Sequence, residues 1–201
     1  MLTETFIAST PDEDAIPQYR SFYAEARRTR GRPSGGVAIF VSPTLPRTKT
    51  IFTNENILCV QVCGTTFIVA YYSPNTPTAE ITADIHQAIL KVTTSSVVLY
   101  GDFNCRIDRD ETRGRDLVEA FLLMNLNLLN NTEEMTYITG NGHSAIDLIF
   151  VSDNLYADTK LKVQPTVERK HHRIHSTHGW SNQDGSQTTR NADKESESRN
   201  S

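Results

Sequence analysis

Apolar and polar residues follow two rhythms along the chain. Gly35-Gly36-Val37-Ala38-Ile39-Phe40-Val41-Ser42-Pro43 is a short run rich in Val and Ile, opened by glycine and closed by proline, which predicts a buried strand. Ile57 to Val62 and Thr66 to Tyr72 predict two more, and Cys63-Gly64 between them reads as the turn of a hairpin. Pro74, Asn75 and Pro77 end the third. From Thr78 to Val92 the rhythm changes: Ile81, Ile85, Ala88, Ile89 and Val92 recur at helical spacing, with Thr76 or Thr78 as the N-cap. Ser96 to Tyr100 is a near-continuous apolar strand that stops at Gly101-Asp102. Arg115 to Met124 predicts a second helix whose buried face is Leu117, Val118, Phe121, Leu122 and Met124. Asn125 to Leu129 turns into a short strand, and Ala145 to Val151 is a further buried one. Strands alternate with few helices and one pair is an antiparallel hairpin, so the pattern predicts a mixed-sheet α/β domain.

Beyond Trp180 the rhythm disappears. Ser, Asn, Gln, Asp, Thr and Glu dominate, Ala192 is the one apolar residue, and such a stretch cannot offset its own ordering entropy. The expected organisation is a domain over 1–178 and a disordered polar tail over 179–201. The tail also accounts for a mean hydropathy of -0.43. The 201-residue length allows one domain of ordinary size, with a core that needs no disulfide or metal staple. The three cysteines, Cys59, Cys63 and Cys105, are odd in number and sit among apolar residues, which argues against disulfides and structural zinc. No run approaches the about 18 apolar residues of a membrane helix, and the N-terminus lacks the basic-then-apolar order of a signal peptide. A soluble intracellular chain with no membrane partner is expected.

A net charge of -4 and a pI near 5.9 argue against a large basic face, and leave room for local basic sites. Two clusters qualify: Arg27-Arg28-Thr29-Arg30-Gly31-Arg32, and Glu168-Arg169-Lys170-His171-His172-Arg173. Either reads equally well as a solvated loop.

Candidate chemistry lies where strands end. In Gly101-Asp102-Phe103-Asn104 a carboxylate and a carboxamide stand two apart, so period-two alternation sends both to one face and Phe103 to the other. An Asx-type turn is the bland alternative. In Ser144-Ala145-Ile146-Asp147-Leu148-Ile149-Phe150-Val151 an aspartate sits inside an apolar strand, where a charge needs a partner. That partner is a backbone group or the Ser144 hydroxyl, or else one of His171, His172, His175 and His178; a buried carboxylate orienting an imidazole is a common catalytic pairing.

Gly101-Asp102-Phe103-Asn104 with Ser144-x-Ile146-Asp147 resembles the endonuclease/exonuclease/phosphatase superfamily, most nearly the endonuclease domain of LINE-type (non-LTR) retrotransposons. Leu2-Thr3-Glu4-Thr5 looks like the family's metal-binding glutamate motif. Ser34-Gly35-Gly36-Val37 looks like its glycine-opened strand, and Tyr72-Ser73-Pro74-Asn75 like its tyrosine motif. Gly114-Arg115, Leu128-Leu129-Asn130 and Thr136-Tyr137 fit the spacing between the aspartate motifs. The resemblance implies a four-layer α/β sandwich, two mixed β-sheets face to face with helices outside. The family's first, asparagine-bearing strand precedes the glutamate motif and is expected to be lacking.

By resemblance, Glu4 would bind Mg²⁺ or Mn²⁺, Asp102 would orient or deprotonate the attacking water, Asn104 would hydrogen-bond water or phosphate, and Tyr72 would contact the phosphate. Asp147 would orient a histidine. The family's closing Ser-Asp-His motif corresponds to Lys170-His171-His172-Arg173, with His172 at the histidine and His171 in place of the aspartate; Ser176-Thr177-His178 is a rival match. Arg106, Arg169 and Arg173 are candidate DNA contacts. The implied function is metal-dependent hydrolysis of a DNA phosphodiester, nuclear in a eukaryotic cell. An inactive remnant, or a phosphatase of the same superfamily, is the alternative.

Overall fold

Cys63 and Gly64 both take left-handed backbone angles, with φ of 50° and 87°, and reverse the chain in two residues. That is the twist a tight hairpin needs. The computed structural model describes residues 1–9, 16, 18–28, 30–107, 111–131, 135–139, 142–164 and 173–178. The elements in chain order are β1 (Arg20–Ala24), β2 (Val37–Val41), β3 (Thr48–Thr53), β4 (Ile57–Val62), β5 (Thr65–Tyr71), α1 (Thr78–Ile89), β6 (Ser96–Asp102) and α2 (Thr112–Leu122). They continue with β7 (Leu126–Leu128), β8 (Tyr137–Thr139), β9 (Gly142–Ser144), β10 (Asp147–Ser152), α3 (Asp153–Tyr156), β11 (Thr159–Gln164) and β12 (Arg173–His178). The expected tail from 179 onward lies outside the described residues.

A six-stranded sheet in the order β3-β4-β5-β6-β10-β7 forms the centre. Its pairs are antiparallel except β5 with β6, which run parallel because α1 carries the chain across between them. One face is the larger core: Ile57, Cys59, Ile68, Ala70, Leu99, Leu148 and Phe150 meet Ile81, Ile85 and Ala88 of α1 and Leu117 and Phe121 of α2. On the other face Leu58, Val60, Val62 and Val69 pack against Ala24 of β1 and Val37, Ile39 and Val41 of β2. Val98, Ile149 and Val151 continue that face onto Leu155 of α3 and Leu161 of β11. The expected mixed α/β architecture is therefore observed, with a mixed central sheet, a second β layer facing it and helices outside.

Local corrections have physical causes. The residue before α1 is Pro77, with no side-chain cap, in place of Thr76 or Thr78; the Thr76 hydroxyl instead bonds Ser73 at 3.0 Å. Helix α2 begins at Thr112, ahead of Arg115, because Gly114 lets its first turn lie against the loop. A Cβ on Gly114 would come within 2.0 Å of the Arg106 carbonyl oxygen. Leu122, expected in the core, is 55% exposed. No helix among the described residues is long and apolar enough to cross a membrane.

Candidate active site

Asp102 ends β6 and Asp147 begins β10, and the two are directly opposed in the antiparallel ladder. Side chains of opposed residues leave the sheet on the same side, about 5 Å apart at Cβ. Both residues are only 2% exposed. On the other flank of β6, Tyr71 of β5 is paired with Asp102 in the parallel register. Tyr100, two residues before Asp102, shares the same face. Its phenol is pushed well above the ordinary tyrosine range, first by burial and then by the charge of Asp147, with Asp102 adding to it and a Thr3 hydrogen bond opposing. Two carboxylates and two phenols thus collect where the central sheet stops, on the side facing β1 and β2.

Glu4 reaches this cluster on the N-terminal segment, which lies beside β2. Leu2 and Ala38 exchange backbone hydrogen bonds of 2.8 and 2.9 Å, Thr5 N–H donates to the Gly36 carbonyl (3.0 Å), and Phe6 N–H to that of Gly35 (2.9 Å). Glu4 and Phe6 both take left-handed φ, 51° and 56°, rare for such residues and characteristic of sites where the surroundings hold the backbone. Gly35 and Gly36, with φ of 76° and 83°, make the approach possible. A Cβ on Gly36 would meet Thr5 Oγ1 at 2.5 Å, and one on Gly35 would meet the Tyr71 ring at 3.0 Å. The glycine pair visible in the sequence is therefore a docking groove for the Glu4 segment. Burial raises the Tyr71 phenol, and the charge of Glu4, a hydrogen bond with its carboxylate and the charge of Asp102 raise it further, while a Ser34 hydrogen bond pulls the other way. Tyr71 thus stands between Glu4 and Asp102.

Tyr72, the tyrosine expected at the site, lies on the other face of the sheet from Tyr71. Strand alternation turns Tyr72 to the helix side, where it is 1% exposed, stacks on Phe103 with ring centroids 6.1 Å apart, and donates its hydroxyl to Asp84 of α1 at 3.2 Å. Only its main chain serves the site. The Tyr72 carbonyl accepts from Asn104 Nδ2 (2.9 Å), and its N–H donates to the Asp102 carbonyl (2.9 Å). Asn104 N–H in turn donates to Asp102 Oδ1 at 3.0 Å, with Asn104 at a left-handed φ of 48°. The Asx-type turn and the clustering of Asp102 with Asn104 coexist. Phe103 points into the core as alternation requires, edge-on to Phe121 and Phe150.

Asp147 is held from behind. Buried Thr136 accepts through Oγ1 the N–H groups of Ile146 and Asp147, both at 3.1 Å. Asn130, 8% exposed, bonds the same strand twice, Nδ2 to the Asp147 carbonyl (3.0 Å) and Oδ1 from Ile149 N–H (2.7 Å). Arg113 ties the loop after β5 to the loop after β6, donating to the carbonyls of Pro74 and Thr76 (the latter at 2.8 Å) and to Cys105 Sγ (3.0 Å). Arg106 is half-buried with its Nε shielded from solvent. Arg173 opens β12, paired with Gln164 of β11. His171, His172 and Arg169 lie outside the described residues. Cys59, Cys63 and Cys105 are free thiols; burial pushes Cys59 up to about 12, which makes it inert at neutral pH.

A family model described as endonuclease-reverse transcriptase matches residues 65–179, more than half of the 201-residue chain. The chain belongs to the endonuclease-reverse transcriptase family. The matched residues contain Asp102, Asn104, Asn130, Thr136 and Asp147, and so span the strand ends that build the cluster. No curated protein matches the chain in sequence. Solved structures share its fold. The endonuclease domain of TRAS1, a telomere-specific non-LTR retrotransposon, is 19% identical, with 82% of each chain covered and a TM-score of 0.66. The 3' phosphatase NExo from Neisseria bound to product DNA hairpin is 17% identical over 89% of this chain and 87% of its own, TM-score 0.63. An AP endonuclease from Archaeoglobus fulgidus is 11% identical over 88% and 86%, TM-score 0.66. The family assignment supports nuclease or phosphatase hydrolysis of a phosphate ester.

What this family member offers a metal is oxygen: the Glu4 and Asp102 carboxylates around the Tyr71 phenol. Among the described residues, no three His, Cys, Asp or Glu side chains gather into a ready cage. Such a donor set fits a hard cation that keeps several waters and takes one or two carboxylates plus substrate phosphate oxygens.

Proposed function

We propose that the chain is a metal-dependent DNA endonuclease of the retrotransposon type. The observation that carries the reading is the opposition of Asp102 and Asp147 across β6 and β10, with Glu4 brought alongside through Tyr71. Two buried carboxylates concentrated at one strand end make a strongly negative spot that attracts a cation, and a phosphodiester needs a cation to approach it. Glu4 and Asp102 would hold Mg²⁺ or Mn²⁺, which supplies charge neutralisation at the phosphate oxygens.

The chain's own residues do the rest. Asp102, anchored through Oδ1 by the Asn104 N–H, takes the proton of the attacking water. Asn104 holds the turn that aims this carboxylate and offers its remaining amide capacity to the water or phosphate. Tyr71 bridges Glu4 and the Asp102 strand and takes the phosphate contact that resemblance assigned to Tyr72. Asp147 orients His172, whose imidazolium stabilises the charge that develops on phosphorus oxygens. Arg106, Arg169 and Arg173 contact the DNA backbone.

The test is nicking of supercoiled plasmid by the purified chain. Relaxed circles should form with Mg²⁺ or Mn²⁺ and vanish with chelator and in Asp102→Ala. A folded chain that leaves the plasmid supercoiled with either ion would refute the hydrolytic reading and favour an inactive remnant. The fold shared with the Neisseria 3' phosphatase supports a second reading, removal of a terminal phosphate. Release of inorganic phosphate from a 3'-phosphorylated oligonucleotide, without internal cleavage, would select it.

A further inference from the structure

Four of the chain's 20 Lys and Arg residues fall within six positions, Arg27, Arg28, Arg30 and Arg32, although the chain as a whole carries -4. This density sits on the loop between β1 and β2. The loop is closed at its root by a bridge in which Arg27 and Ser34 exchange backbone hydrogen bonds of 2.9 and 3.1 Å. The root is continuous with the candidate site: Ser34 bonds the Tyr71 phenol, and the next residues, Gly35 and Gly36, carry the Glu4 segment. All four arginines are exposed.

Their side chains are directed by contacts with the segment that bears Glu4. The guanidinium of Arg32 lies 4.0 Å over the Phe6 ring, two residues beyond Glu4. Arg28 uses Nε and Nη2 on one neutral acceptor, the Ala8 carbonyl, at 3.2 and 3.1 Å. Its charge is not neutralised by that contact, and among the described residues the Ala8 carbonyl is the acceptor its five-donor fork meets. Arg27 is engaged differently, by Glu55 at 3.7 Å. Glu25 also borders the loop.

We infer that Arg28, Arg30 and Arg32 form a docking strip for nucleic-acid backbone phosphates that flank the bond held at Asp102 and Asp147. The inference rests on the hydrolytic reading above for its geometry. A planar guanidinium matches phosphate oxygens bidentately, and arginines spaced along an anchored loop meet successive anionic groups of a polymer. Thr29, Gly31 and Pro33 between and after them supply no aromatic ring to stack on bases and no side-chain amide, so the strip is assigned to phosphates rather than to base edges. A chain with a net charge of -4 offers a polyanion only local basic sites, of which this strip is one.

The experiment measures binding of a short labelled DNA duplex by fluorescence anisotropy over a salt series. Arg28→Ala, Arg30→Ala and Arg32→Ala should each remove about 0.9 from the slope of log affinity against log salt, equally for duplexes of unrelated sequence. Arg30→Lys should retain the slope, and Lys49→Ala, at the far end of β3, should leave it at the wild-type value. Thermal melts confirm that each variant is folded. A triple alanine variant that melts like wild type and keeps the full salt slope overturns the strip, as does weaker binding at unchanged slope. Wild-type cleavage, assayed separately, tests the hydrolytic reading: cleavage with an unchanged variant slope sinks the strip alone, and a lowered slope without cleavage sinks the hydrolysis alone.

Discussion

The two faces of the central sheet are built from the same strands and end differently. On the helix side the apolar packing runs to the strand ends and beyond: Tyr72, Phe103, Phe121 and Phe150 close it with stacked and edge-on rings. On the side of β1 and β2 the packing is aliphatic along Leu58, Val60 and Val69, then gives way to Tyr71, Tyr100, Asp102 and Asp147. Consecutive residues therefore have opposite duties. Tyr72 and Phe103 hold the sheet to its helices, while Tyr71 and Asp102, one position away, face the charged cluster. Period-two alternation lets one strand serve stability and chemistry without either compromising the other.

Substitutions on the two faces should separate these duties. The largest effect is expected from Asp147→Asn, which should lower cleavage about 10²–10⁴-fold while the melting temperature holds or rises, since one of two crowded charges is removed. Rates and melts on the same preparation check it. Phe121→Ala, in contact with Phe103 and Phe150, should cost about 3–5 kcal/mol of stability, read by denaturant titration, with the folded fraction still cleaving. Thr136→Val removes the acceptor of two backbone N–H groups at the start of β10 and should cost about 1–3 kcal/mol, with Thr136→Ser restoring most of it. The smallest effects make the sharpest contrast. Tyr71→Phe should reduce kcat about tenfold with little change in melting, whereas Tyr72→Phe should lose about 1 kcal/mol through its bond to Asp84 and leave kcat alone. The reverse outcome for this pair would restore Tyr72 to the site.

What was legible in the sequence follows from how burial is distributed. β4 is covered on both faces, so its near-continuous apolar run matched the strand over Ile57–Val62. Asp102 and Asp147 stood out as charges against apolar strands. β1 and β3 did not: Arg20–Ala24 and Thr48–Thr53 are mostly half-buried or exposed, and their mixed residues carry no period strong enough to read. Motif resemblance selects Tyr72, whereas the strand register pairs Tyr71 with Asp102 and turns the neighbouring ring to the helix side. Asn130 and Thr136 stood out only by their spacing between the aspartate motifs, and what they do, bonding the start of β10, is visible only in the fold. Arg113, which ties the two loops around the site, has no signature in a helix-start sequence rich in charge.

The glycine-lined groove that receives Glu4 has a thermal consequence. The segment from Leu2 to Phe6 is secured by a handful of main-chain bonds to Gly35, Gly36 and Ala38, whereas β4, β5 and β6 are locked in ladders on both sides. Its opening free energy is that of a local release rather than of global unfolding. On warming, the amides of Thr5 and Phe6 should exchange with solvent before those of β5, and Glu4 should depart from a sheet that is still intact. Glu4 should thus be lost from the cluster at a lower temperature than the fold is lost, because its segment is a guest of the domain rather than one of its strands.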